Sequence, residues 1–152
     1  MKSQYFKLLR IVALSLGVCC LCHQVLAQSV AVQILDGRTG KSIGKGRIVH
    51  VAFTIAPVHT MLTLHTNQQG EIRFDAEGLK TFSLGVVGYL PCSDKGVGSV
   101  PESFAVNEIL KDGSASSNDC GQLNPQISPG SLIYFVKRES LASRLKEQSN
   151  SQ

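Results

Sequence analysis

The sequence predicts an all-β fold, an antiparallel β-sandwich of about seven strands with a short C-terminal helical tail. Three observations carry this. Apolar and polar residues alternate at a period of two through most of residues 29–90, as strands with one buried face require. Breaks rich in Gly, Asn and Asp recur about every ten residues, at the spacing of sandwich turns. No strand–helix–strand alternation appears, so a parallel sheet is not expected.

The first 27 residues stand outside this pattern. MKSQYFKLLR carries Lys2, Lys7 and Arg10 and no acid, and IVALSLGVCCLC is then apolar or small throughout. HQVLAQ follows, with small residues Val25 and Ala27 before a cut after Ala27. A basic stretch, a short apolar run and small residues before a cut describe a secretory signal peptide. The apolar run, 12 residues from Ile11 to Cys22, is short for a membrane-spanning helix, which needs about 20. Lipid attachment at Cys19 is disfavoured because Val18 precedes it. The expected division is residues 1–27 as signal peptide, 28–138 as one β-sandwich domain, and 139–152 as a short helix and frayed tail. The expected location is the periplasm or the exterior, with no membrane span after cleavage.

Removing the signal changes the charge. Three of the 15 basic residues and none of the 11 acids lie in it, so the remaining chain carries +1 rather than +4. Nucleic-acid binding, which needs many cationic phosphate contacts, loses its support. Three of the five cysteines leave as well, and Cys92 and Cys120 remain. In an exported chain such a pair is expected as a disulfide, worth about 3–4 kcal/mol for a loop of this length.

The strands follow in order. SVAVQIL, residues 29–35, sets Val30, Val32 and Ile34 on one face. DGRTGKSIGKG is a glycine-rich loop. RIVHVAFTIA, residues 47–56, is β-branched and points Val49, Val51 and Phe53 one way. PVHT is expected to interrupt the pattern, and MLTLHT to form a third strand with Leu62 and Leu64 on one face. Asn67-Gln68-Gln69-Gly70 reads as a hairpin connection with glycine in its left-handed position. EIRF then returns with Ile72 and Phe74 toward the core, and residues 80–90 set Phe82, Leu84 and Val86 on one side. After Pro91 come a loop, a strand over Phe104–Leu110, and a long polar loop that Cys120 ties down. SLIYFVK, residues 131–137, is almost continuously apolar and suits a strand buried on both faces. Leu141 and Leu145 stand at helical spacing in the tail.

Three of these stretches share a family resemblance. VQILDGRTGKSIGKGRIVHV, TNQQGEIRF and FSLGVVGYLPC resemble, in order and over about 60 residues, the carboxypeptidase regulatory-like domain, a transthyretin-like (prealbumin-like) Greek-key sandwich. Ser42 stands where that family often has proline, and Asn67 replaces the usual acid of the hairpin. After Cys92 no residue-by-residue match is made. The resemblance implies an extracytoplasmic binding or accessory module. It implies no peptidase activity, because the chain carries no counterpart of the catalytic domain.

Candidate chemistry is sparse. His50 and His65 fall on outward strand faces and His59 in a loop, without acids or cysteines at metal-ligand spacing, so no metal and no cofactor are expected. Ser131 lies outside any Gly-x-Ser-x-Gly elbow. The hydroxyisourate hydrolases of related fold end in Tyr-Arg-Gly-Ser where this chain ends SNSQ, which disfavours a small hydrolase. Self-cross-linking pilin-type domains carry a lysine on the first strand, and SVAVQIL has none. The chain has no Trp. Tyr134 falls in the buried run, which leaves Tyr89 as the candidate aromatic platform of a carbohydrate-binding module. An unpaired sheet edge, the first strand or the strand opposite it, is the alternative route to a partner. The sequence thus points to a non-enzymatic exported module for an unidentified protein or glycan partner.

Overall fold

The computed structural model describes residues 28–55, 57–93 and 101–140. The signal segment and the Leu141–Leu145 helix lie outside these residues. The strands are β1 (Ser29–Asp36), β2 (Ile48–Ile55), β3 (Val58–His65), β4 (Glu71–Asp75), β5 (Thr81–Val86), β6 (Tyr89–Pro91), β7 (Ser103–Ala105), β8 (Ser114–Ala115) and β9 (Ser131–Arg138). Among the described residues one helix, α1 (Val106–Asp112), sits between β7 and β8.

They form two sheets. Sheet A runs β4-β1-β9-β6, with the two-residue β8 also pairing with β9, and sheet B runs β3-β2-β5-β7. One apolar core lies between them. Val30, Val32, Ile34, Ile72, Phe74, Leu132, Tyr134 and Val136 enter it from sheet A, and Val49, Val51, Phe82, Leu84, Val86 and Phe104 from sheet B. Edge-on aromatic contacts join the layers, Phe74 to Phe82 with centroids 5.0 Å apart and Phe104 to Tyr134 at 5.9 Å. The Tyr134 hydroxyl donates to the Leu84 carbonyl across the core, which satisfies its polar end.

The period-two reading therefore holds for β1, β2, β4 and β5, while the connections correct several expectations. Asn67–Gly70 is a turn with the expected glycine, at φ 73°, but it closes no hairpin. It carries the chain from β3 in sheet B to β4 in sheet A, where Ile72 faces Val32. Local turn chemistry is the same in both cases; the partner is set by which sheet needs the strand. Likewise residues 80–90 are two strands, because the Val87-Gly88 turn sends β6 to sheet A.

Sheet A is not wholly antiparallel. β1 and β9 pair in parallel, as do β8 and β9. The link to β9 is long, so β9 can enter beside β1 in the same direction without a crossover helix of the βαβ kind. β1 consequently has neighbours on both sides and is no edge. Residues 104–110 are not one strand: Phe104 pairs with Phe82, and Val106 then opens α1, whose buried Val106 and Ile109 join the core. The i, i+3 spacing of these two residues serves a helix, which a purely alternating reading of the segment misses. Strand β3 starts three residues earlier than expected, so His59 lies in a strand and not in a loop.

β9 explains its continuous apolar run. Leu132, Tyr134 and Val136 face the core between the sheets. Ile133 and Phe135 face the other way, into a second cluster with Leu35 and Cys92 that is covered by Ala115, Cys120 and Leu123. The long polar loop is therefore a lid over the outer face of sheet A.

Candidate functional site

Four places hold the chemistry that the sequence offers. The first is the joint between the first two of the three stretches that carry the family resemblance, residues 32–51 and 66–74. Asp36 closes the loop after β1 by accepting from the backbone N–H groups of Arg38 and Thr39 and from the Thr39 hydroxyl. The Thr39 N–H, foremost among these, holds the Asp36 carboxyl below the usual carboxylate range. Farther along, the Ser42 hydroxyl donates to the Gln69 carbonyl at 2.7 Å, and Gly70 leaves no room for a Cβ against that same hydroxyl. Asn67 accepts from the N–H groups of Gln69 and Glu71. Buried Thr66 donates to the Gly44 carbonyl and accepts from the Arg47 N–H. These polar groups satisfy one another, so the joint is a structural lock.

The second is the disulfide. Cys92 and Cys120 are bonded, with Cα atoms 5.4 Å apart. The Cys92 N–H donates to the Phe135 carbonyl, which places the bridge beside β9. The Asn118 side chain donates to the Gly37 carbonyl, and a Cβ on Gly37 would strike Cys92 Sγ and Asn118. The Glu102 carboxylate accepts from the Ser93 hydroxyl and the Ser117 N–H, tying both flanks of the bridge together. The bridge fastens the lid.

The third is Tyr89. Its ring is half-buried against the core, and the Arg47 guanidinium lies 5.9 Å from its centroid. Tyr89 is thus no open platform. With Arg47, Gly88, Val87 and Arg138 it lines a notch of about 240 Å³. Among the described residues neither arginine forms a salt bridge. Tyr134 is core, as its place in the apolar run implies.

The fourth is the β3 edge, which sequence reasoning did not single out. β3 pairs with β2 through eight consecutive residues without a bulge, from Ile48–His65 to Ile55–Val58, and its other side has no strand among the described residues. Its sequence, VHTMLTLH, holds no charge and no proline, and Val58, Met61 and Leu62 are exposed. The remaining edges among the described residues are guarded, β8 by its length of two residues. β4 carries Glu71, Arg73 and Asp75, with Arg73 paired to Glu71. β6 is three residues long and ends in Pro91, and β7 is three residues long. Charge, proline and shortness are the usual devices against edge pairing.

Among the described residues no histidine forms an ion pair with an acid. His50 bonds the Thr63 hydroxyl and His59 the Thr54 hydroxyl, both between β2 and β3. Among the described residues no three His, Cys, Asp or Glu side chains gather as metal ligands. Ser131 is bonded to Ser128. No helix among the described residues is long and apolar enough to cross a membrane.

No protein-family model matches the chain, and no curated protein matches it. Among solved structures it is similar to a streptococcal ancillary pilin, at 14% identity over 73% of this chain and 29% of that one, with a TM-score of 0.40. It is also similar to a 9R-lipoxygenase from Cyanothece PCC8801, at 13% identity over 69% of this chain and 15% of that one, with a TM-score of 0.33. The chain spans less than a third of either, and at these scores neither likeness bears on function.

Proposed function

We propose that this chain is an exported, non-catalytic module of the carboxypeptidase regulatory-like type, a Greek-key β-sandwich that binds a macromolecular partner along a sheet edge. The observation that carries the reading is the β3 edge, long and without Asp, Glu, Lys or Arg, while the other edges among the described residues are guarded. Export rests on the N-terminal pattern and agrees with the Cys92–Cys120 bridge, since disulfides persist in oxidising compartments. A photo-crosslinking residue at position 61, on β3, is expected to trap adducts in intact cells, and the same residue at position 73, on β4, is not. Equal yields at both positions, or none at 61, would overturn the edge reading. Recovery of the chain from the cytosol with free thiols would overturn export.

The Tyr89 notch supports a second reading. Two arginines without a salt bridge among the described residues, beside an aromatic ring, favour an anionic glycan over a neutral one. Retention on sulfated but not on neutral polysaccharide, abolished by Arg47→Ala with Arg138→Ala, is the expected result; equal retention of the variant would exclude it.

A further inference from the structure

The edge-binding reading leaves the occupant of β3 unnamed, and the inference that follows rests on that reading. We propose that β3 pairs with β3 of a second copy, antiparallel about a twofold axis, so that two four-stranded sheets become one sheet of eight strands.

The first argument is charge. Twofold pairing sets a strand against itself, so any charged residue meets either itself or another member of its own short list. β3 has no Asp, Glu, Lys or Arg in its eight residues, so no register of β3 on itself opposes like charges. An edge shaped for a foreign strand gains selectivity from charge, and β3 offers none.

The second argument is the surface left uncovered. Ile55, Val58 and Leu62 share the inward face of sheet B with Val51, because Ile55 faces Val58 and Val51 faces Leu62 across the ladder. Yet they are 54%, 57% and 37% exposed: Ile55 and Val58 form the last pair of the β2–β3 hairpin, and Leu62, opposite buried Val51, lies on the edge strand itself. A twofold copy brings the same row of apolar residues to the same face, and each row covers the other.

The third argument selects the register. In antiparallel pairing about an axis normal to the sheet, opposed residues share a face, so the axis passes at a residue position. An axis at Met61 sets Val58 opposite Leu64 of the second copy, Thr60 opposite Leu62, Met61 opposite Met61 and His59 opposite Thr63. Apolar groups meet apolar groups or a threonine methyl. The His59–Thr63 pair repeats the imidazole–threonine contacts that His50 and His59 already make between β2 and β3. An axis at Leu62 would instead set His59 against His65.

Sedimentation equilibrium on the oxidised chain, as processed by its host, tests the proposal alongside amide hydrogen exchange. The expected result is a concentration-dependent dimer in which the outward-facing amides of residues 58–64 gain protection as dimer forms. Met61→Lys places two ammonium groups opposite each other and is expected to weaken the dimer at least about tenfold, whereas Glu77→Lys in an exposed turn leaves it unchanged. A dimer that survives Met61→Lys without β3 protection would overturn the proposal. So would a monomer at every concentration. If that monomer still gives position-61 adducts with a different protein in cells, the second copy is wrong and the edge reading stands; if it gives none, both fall.

Discussion

The outer face of sheet A and the free edge of sheet B meet solvent in opposite ways. Sheet A is covered twice: sheet B packs on one side, and the 113–130 loop lies on the other over Leu35, Ile133 and Phe135, fastened by Cys92–Cys120. Sheet B ends in β3, which holds no Asp, Glu, Lys or Arg and, among the described residues, has no strand on its outer side. The difference shows that this small domain reinforces one sheet heavily while leaving the other open, and the open strand is where an interaction can form at little cost to the fold.

Mutations on the two sides should separate accordingly. Phe135→Ala removes the largest side chain under the lid and is expected to cost about 3–5 kcal/mol in urea unfolding. A cost below about 1 kcal/mol would mean that the outer cluster is not a true core. Replacing both Cys92 and Cys120 by Ala should cost about 3–4 kcal/mol for a sequence separation of 28, with earlier proteolysis of the loop. Unchanged protease resistance would detach the bridge from the lid. Thr66→Ala, where β3 leaves its sheet, strands the Arg47 N–H and should cost about 1–3 kcal/mol; a neutral result would show that the end of β3 needs no lock.

A smaller effect comes from Asp36, beside the lid. Its carboxyl titrates lower folded than unfolded, so its stabilisation is present above the ordinary value of about 3.9 and is lost as pH falls through the folded value. Asp36→Asn should therefore flatten the acid limb of stability against pH, and an unchanged limb would assign acid sensitivity elsewhere. The smallest effect belongs to Met61→Ala, within about 0.5 kcal/mol for a single copy because the side chain is 61% exposed. A larger loss measured on monomer would mean that β3 is held by contacts within its own chain.

Much of the fold was legible in the sequence. Alternation located β1, β2, β4 and β5 and their inward residues, because a period of two is the direct consequence of a sheet with one dry face. The continuous run of β9 announced burial on both faces, and Cys92 and Cys120 announced the bridge. The candidate site was less legible. Tyr89 reads as a free aromatic until Arg47, 42 residues away in sequence, is found over its ring. β3 reads as one more strand, because edge position is a property of the sheet and leaves no mark on the strand itself.

The sequence by itself determined that β1, β2, β4 and β5 are short strands separated by glycine-bearing turns, and which face of each is apolar, since backbone sterics and side-chain periodicity act within a few residues. Tertiary structure alone decided that β4 leaves β3 for β1, that β9 runs parallel to β1, and that β3 stands at the margin. Hydrogen bonds between strands are donated and accepted by backbone that is the same in every residue. Partner and position therefore depend on how the whole chain fills two sheets around one core, and no local stretch encodes that.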